Sequence, residues 1–365
     1  MGFNCGIVGL PNVGKSTLFN AITNTSSAAA ANYPFCTIEP NIGRVPVPDP
    51  RLDTLARLAK SAKTVPTQLE IKDIAGLVRG ASKGEGLGNK FLGAIREVDA
   101  VLEVLRCFED GDITHVEGSV DPLRDAELVE TELLLADLES LERQKDGLVK
   151  RARGQDKEAK ARLELLERIL PAMEQGRQAR TLDLSADDRL LLRDFNLLSA
   201  KPVLYVCNVD EGSAASGNAL TARVAAMAEA QGARHVVICA AIEAELSALA
   251  EEEKAEYLAS MGLAEPGLNR VIRAGHELLG LLTYFTVGPK EARAWTVHRG
   301  ATAPQAAGVI HTDFEKGFIC AEVIAYDDFV RLGGEQAAKE QGRMRLEGRP
   351  YVIQDGDVVH FRFNV

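Results

Sequence analysis

Two periodicities divide this chain. Phe3 to Val8, Gln68 to Gly76, Asp99 to Leu105, Lys201 to Cys207 and Gly232 to Ile238 are short apolar or alternating runs that predict strands. Thr17-Leu18-Phe19-Asn20-Ala21-Ile22 carries the three-to-four-residue apolar spacing of a helix instead. Strands alternating with helices predict an α/β domain, which is interrupted between Pro122 and about Met173 by a stretch of Leu, Glu, Lys, Arg and Ala. There Leu128, Leu134, Leu135, Leu138 and Leu141 mark one amphipathic helix and Leu163, Leu166, Ile169, Leu170 and Met173 a second. With a turn at Gly154-Gln155-Asp156, they form an antiparallel helical hairpin.

From Leu281 onward the pattern becomes a small α+β domain. Thr283 to Val287, Ala294 to His298 and Phe318 to Ile324 are its strands, Pro304 opens a short helix, and Val359, Phe361 and Phe363 alternate in the last strand. Asp355-Gly356 supplies a hairpin turn. The Pro-rich run from Val45 to Pro50 and the short helix Leu52 to Ala59 have the character of a connector. The expected division is residues 1–121 with 199–280 as one discontinuous domain, 122–198 as the inserted hairpin, and 281–365 as the C-terminal domain.

The 365 residues are 46% hydrophobic and 26% charged, which excludes a mainly disordered chain. No apolar run has membrane-spanning length and no signal peptide precedes the first strand, so a cytoplasmic protein with no membrane partner is expected. A formal charge of −11 argues against whole-surface attraction to nucleic acid; contact with RNA needs a local basic patch. Lys150, Arg151, Arg153, Lys157, Lys160 and Arg162 make such a patch at the tip of the hairpin, where a solvated charged face is the plainer alternative. Cys5, Cys36, Cys107, Cys207, Cys239 and Cys320 form no C-x-x-C pair and are expected to be buried, reduced thiols.

The chemistry begins at Gly9-Leu10-Pro11-Asn12-Val13-Gly14-Lys15-Ser16-Thr17, which fits G-x-x-x-x-G-K-[ST] between a strand and a helix. Gly9 and Gly14 allow the backbone to turn successive N–H groups onto a phosphate, Lys15 reaches the β- and γ-phosphates, and the Ser16 hydroxyl can bind Mg²⁺. Thr37 ends a polar loop after the first helix and is the candidate for a second hydroxyl on Mg²⁺. Asp73-Ile74-Ala75-Gly76 is a D-x-x-G at a strand end: Asp73 would act on Mg²⁺ through water and the Gly76 N–H would meet the γ-phosphate. Leu77 stands where small GTPases place a water-orienting glutamine, so that group must come from elsewhere. His115, in the acidic loop Cys107 to His115 beyond a core strand, has a side chain able to orient water; an ordinary surface histidine is the alternative. Asn208-Val209-Asp210-Glu211 follows a strand where GTPases read Asn-Lys-x-Asp. Val209 replaces the lysine and Glu211 the aspartate, which puts guanine preference in doubt. Cys239-Ala240-Ala241, in place of Ser-Ala-Lys, weakens that base site further.

On Gly9 to Thr17, Thr37, Asp73 to Gly76, Leu77 and Asn208 to Glu211, the chain closely resembles the YchF family of Obg-like ATPases over its full length. The resemblance implies a P-loop nucleotide-binding (Ras-like) domain with an inserted antiparallel helical hairpin, and a C-terminal TGS domain of α+β β-grasp form. It implies ATP preference over GTP through Asn208-x-x-Glu211, a hydrophobic residue in the catalytic glutamine's place at Leu77, and a water-positioning histidine at His115. It also implies association with ribosomes. Asn12 is similar to the residue that coordinates an activating K⁺ in related P-loop proteins.

The expected function is therefore a monomeric, Mg²⁺-dependent ATPase switch that hydrolyses ATP to ADP and phosphate and regulates translation or the stress response. Lys15 and His115 would be its catalytic residues. Asn12, Val13, Gly14, Lys15, Ser16, Thr17, Asp73, Gly76, Asn208 and Glu211 would bind nucleotide, with Ser16 and Thr37 on the metal. The expected partners are ATP, the ribosome through its large subunit, and RNA at the hairpin tip. A GTPase of the same architecture and a nucleotide-gated RNA or protein adaptor with incidental hydrolysis are the alternatives. A small-molecule kinase is weaker, since no acceptor site is apparent.

Overall fold

A computed structural model describes residues 3–30, 41–74 and 87–364 of the chain. They fold as two compact units, Met1–Arg44 with Glu70–Gly275 and Val45–Leu69 with His276–Val365. Elements are numbered through the chain.

The first unit is built on a six-stranded sheet of order β2-β4-β1-β5-β6-β7. Its strands are β1 Asn4–Val8, β2 Ile42–Pro46, β4 Gln68–Asp73, β5 Ala100–Arg106, β6 Val203–Asn208 and β7 Arg234–Ile238. The pairings of β1 with β4 and β5, of β5 with β6 and of β6 with β7 are parallel. Every residue of β5 and β6 is buried, as expected for strands covered on both faces by crossover helices. The helices of this unit are α1 Lys15–Ala30, α3 Leu87–Glu97, α4 Pro122–Arg153, α5 Lys157–Glu174, α6 Ala186–Arg193, α7 Ala219–Ala230, α8 Ala240–Ala248, α9 Glu251–Ser260 and most of α10 Gly267–Leu278. Parallel strands bring Val8, Asp73, Arg106, Asn208 and Ile238 to one edge, where an open α/β sheet binds its ligand.

Helices α4 and α5 are the expected hairpin. Asp121 caps α4, accepting from the Leu123 N–H at 3.2 Å with Pro122 at the first helical position. Asp156 caps α5, accepting from the Glu158 and Ala159 N–H groups, each at 3.1 Å. The stripe between them joins Leu134, Leu141 and Leu148 to Leu165, Leu166, Ile169 and Met173. Leu135 departs from the expected stripe: it is 46% exposed and Leu133 is buried instead. Asp137, also on α4, is buried and accepts from the Leu198 and Ser199 N–H groups and the Ser199 hydroxyl at 2.8, 2.7 and 2.6 Å, fixing the chain's return to β6.

The second unit has a six-stranded sheet of order β11-β10-β12-β8-β9-β3. Its strands are β3 Thr64–Val65, β8 Leu281–Val287, β9 Ala292–His298, β10 Phe318–Ala325, β11 Arg345–Glu347 and β12 Asp357–Phe363. β8 and β9 form an antiparallel hairpin, and β12 returns parallel to β8 and antiparallel to β10. Helix α11 Ala303–Ile310 connects the halves, followed by α12 Thr312–Lys316, α13 Tyr326–Leu332 and α14 Glu335–Glu340. This strand arrangement is the β-grasp that the family resemblance implied.

Two expectations need correction here. Residues 45–69 are no mere connector, since α2 Pro50–Ala59 places Leu52, Leu55 and Ala56 in one core with Phe285, Ala292, Ala294, Ile324, Phe329 and Val358. The unit therefore combines two distant pieces of sequence. Asp355-Gly356 is a turn but joins no hairpin, because β12 pairs with β10 and β8 and not with β11. The turn is fixed by its surroundings: Asp355 accepts from the Thr283 N–H at 2.9 Å and pairs with Arg51 at 2.7 Å.

Cys5, Cys107, Cys207 and Cys239 are buried free thiols and Cys320 is half-buried. Burial pushes the Cys5 thiol up to about 12, which keeps it an inert thiol. Among the described residues no helix is long and apolar enough to cross a membrane.

Candidate functional site

The loop from Gly9 to Ser16 is shaped by close approach. Gly9 has φ +146°, and a Cβ there would lie 2.5 Å from the Val104 carbonyl oxygen. Gly14 has φ +99°, and its Cβ would lie 2.2 Å from Asn208 Nδ2. No L side chain fits either position without moving backbone or a buried amide. Asn208 explains the second contact: buried at the end of β6, it donates from Nδ2 to the Val13 carbonyl at 2.9 Å and accepts at Oδ1 from the Ala240 N–H at 2.9 Å. One side chain thus ties the glycine loop to the start of α8.

The first hydrogen bond of α1 runs from the Leu18 N–H to the Gly14 carbonyl at 3.0 Å. Among the described residues, the N–H groups of Gly14, Lys15, Ser16 and Thr17 take no acceptor. Four orphaned donors at the positive end of a 16-residue helix form an anion cradle. Lys15 is 8% exposed and its ammonium folds back on the Leu10 carbonyl at 2.5 Å. Burial pushes the Lys15 amine down to about 8, opposed by Asp73. Burial raises the Asp73 carboxyl in turn, opposed by Lys15. Asp73 ends β4 in register with Ile7 of β1, which brings it to the loop. Ser16 is exposed on the first turn of α1. Thr37, Gly76 and Leu77 lie outside the described residues.

His115 sits beside this loop through its main chain. Asn12, at φ +62°, donates from Nδ2 to the Thr114 carbonyl at 3.1 Å, which leaves its amide oxygen for another partner. The His115 ring is buried, with Nε2 2.8 Å from Asp125 Oδ2 and Nδ1 accepting from the Glu117 N–H at 3.1 Å. His115, expected in a polar loop with its side chain able to orient water, has its ring packed on the first turn of α4, so it is not the ordinary surface histidine of the alternative.

Two residues that the sequence reading passed over build this region. Buried Arg106 ends β5 and donates to the carbonyls of Phe108, Asp110 and Ile113 at 3.2, 3.2 and 2.9 Å, so it organises the loop to His115. Asp125 holds the ring itself. A cation closing a fully buried strand that is apolar except for Glu103 was the available signal for Arg106; Asp125 had none beyond its helix position.

At the turn after β6, Val209 is buried and Asp210 caps the following turn by accepting from the Ser213 N–H at 3.0 Å. Asp210 is thereby occupied, whereas Glu211 is exposed at that turn's first residue. The sequence brings Asn12, Val13, Gly14, Lys15, Ser16, Asp73 and Asn208 to one strand edge, with Glu211 on the turn beyond Asn208.

A parallel sheet whose first strand runs through a glycine loop into an anion-binding helix, with a lysine and a strand-end aspartate beside it, defines a P-loop nucleotide-binding protein. A family model described as "50S ribosome-binding GTPase" matches residues 4–136, and YchF-GTPase_C, described as "Protein of unknown function (DUF933)", matches residues 281–364. The Haemophilus ducreyi protein named "Ribosome-binding ATPase YchF" is 60% identical over 365 residues, covering 100% of both chains. The Bacillus subtilis protein of the same name is 52% identical over 367 residues, again covering 100% of both. A solved structure, "Structure of the Schizosaccharomyces pombe YchF GTPase", aligns with TM-score 0.89 at 39% identity over 99% of this chain and 98% of that one. The chain belongs to the YchF family.

Proposed function

We propose that this protein is a Mg²⁺-dependent ATPase that binds ribosomes and uses its two nucleotide states as a switch. The observation that carries the reading is the cradle of unsatisfied amides from Gly14 to Thr17 with the Lys15 ammonium beside it. The names of relatives at 52–60% identity support ATP and the ribosome.

The residues fit the metal that such a site needs. Ser16 and Asp73 offer a hydroxyl and a carboxylate on adjacent elements, with Thr37 as a further hydroxyl; when bound, the ion would neutralise charge between the β- and γ-phosphates. The Asn12 amide oxygen fits a K⁺ ligand, because its nitrogen is already turned to Thr114. The loop amides and Lys15 stabilise charge on the transferred phosphoryl group, and His115 orients the attacking water. In the described geometry the ring is turned away from that task, which agrees with the slow unassisted turnover of such switches, about 10⁻⁴–10⁻² s⁻¹.

Glu211 favours adenine. With Asp210 held in its cap, Glu211 is the carboxylate at that turn left for the base, and adenine presents a single amino group on the edge where guanine presents two donors. Competition between ATP and GTP for the purified protein checks this. ATP is expected to bind more tightly, and GTP binding tenfold tighter, about 1.4 kcal/mol, would sink it.

At the hairpin tip Arg151 pairs with Asp156, and Arg162 with Glu158 and Asp194. Among the described residues Lys150, Arg153, Lys157 and Lys160 take no acidic partner and are exposed. Four free cations on an anionic protein support RNA phosphate contact there.

A further inference from the structure

His115 has no polar atom left for water. Nδ1 accepts from the Glu117 N–H, so it carries no proton; the proton is on Nε2, which donates to Asp125. The side chain is 4% exposed. Its backbone neighbour Thr114 nevertheless touches Asn12 of the phosphate loop. The segment is thus in place while the ring is turned into α4.

Asp125 is built to let the ring go. Its carboxylate is 1% exposed, and it also accepts from Arg124 Nη2 at 3.1 Å and Nε at 3.4 Å. Arg124 binds the same loop through the Ser119 carbonyl at 2.6 Å and hydroxyl at 3.0 Å. A buried carboxylate stripped of every partner would cost several kcal/mol, but Asp125 keeps its guanidinium when the imidazole leaves.

We infer that Asp125 is a positioning residue that stores His115 in an unproductive orientation, and that turnover requires the ring to leave it. The inference rests on His115 as the water-orienting group; that role by itself assigns nothing to Asp125. It also opposes the arrangement in which an aspartate steadies a histidine for catalysis, because there both ring nitrogens would not be consumed inside the fold.

Steady-state ATP hydrolysis by full-length wild type, Asp125→Ala, His115→Ala and the double variant tests the latch. Asp125→Ala is expected to raise kcat by about tenfold, the order expected for losing a hydrogen bond to a charged group, with KM for ATP unchanged. His115→Ala is expected to lower kcat, and the double variant to match it, since an unlatched position without its ring gains nothing. Asp125→Asn keeps the shape and a weaker acceptor, and is expected to raise kcat by less, which guards against a variant that fails to fold. The long-range ¹H–¹⁵N spectrum of the His115 ring is expected to show the single Nε2–H tautomer in wild type and an exchanging mixture in Asp125→Ala. A folded Asp125→Ala with unchanged or reduced kcat, or with the wild-type tautomer, overturns the latch. Wild-type turnover in His115→Ala overturns the water-orienting role and the latch with it, whereas a slow His115→Ala beside an unchanged Asp125→Ala overturns the latch alone.

Discussion

At the scale of single residues, the site is governed by what each polar atom is already doing. Lys15 is held by the Leu10 carbonyl and its amine is pushed down to about 8 by burial. Phosphates require the charged form, so binding takes up a proton once the free protein has lost it. Affinity for MgATP is therefore full below pH 8 and falls above it, by up to about tenfold per pH unit, until the pKa of the bound lysine is reached. Titrations at pH 7, 8 and 9 are expected to show roughly tenfold weaker binding at pH 9 than at pH 7; equal affinities would show that Lys15 is fully charged without nucleotide. Lys15 and Gly14 were legible in the sequence because loop geometry fixes their spacing; Asn208 was read from the turn that it opens, and its bond to the Val13 carbonyl was not foreseen. Asp125 was not, because a carboxylate in a first helical turn has an ordinary electrostatic reason to be there.

At the scale of elements, periodicity located five of the six strands of the nucleotide sheet and the helical hairpin but missed β2, whose end falls in the Pro-rich run from Val45, and Asp156 acts as the cap that the turn required. It misjudged α2. The spacing of Leu52, Leu55 and Ala56 does announce an apolar face, but nothing local names a partner more than two hundred residues away. The packing has a direct consequence. Without α2 the fragment 276–365 would expose Phe285, Ala292, Phe329 and Val358, losing roughly 2 kcal/mol for each large side chain uncovered. Produced alone, that fragment is expected to be unfolded or loosely packed by circular dichroism and proton NMR. A dispersed spectrum with cooperative thermal unfolding would show that residues 45–69 are dispensable to this unit.

At the scale of the whole molecule, the chain makes one unit from Met1–Arg44 with Glu70–Gly275, the helical hairpin included, and another from two separated segments, and no linear reading of boundaries at 281 could anticipate the second. The four longer strands of the second sheet were visible as apolar or alternating runs, while the short β3 and β11 and the strand order required the fold. A net charge of −11 opposes whole-surface attraction to polyanions, so the four exposed cations at the hairpin tip that take no acidic partner among the described residues form a local basic patch on an anionic protein. All of these features serve the switch only if the glycine loop holds a purine triphosphate. Isothermal calorimetry of the intact protein with ATP and with GTP, each with magnesium, tests that most directly. One ATP is expected to bind per chain, more tightly than GTP; a folded protein that takes up neither nucleotide would contradict the account.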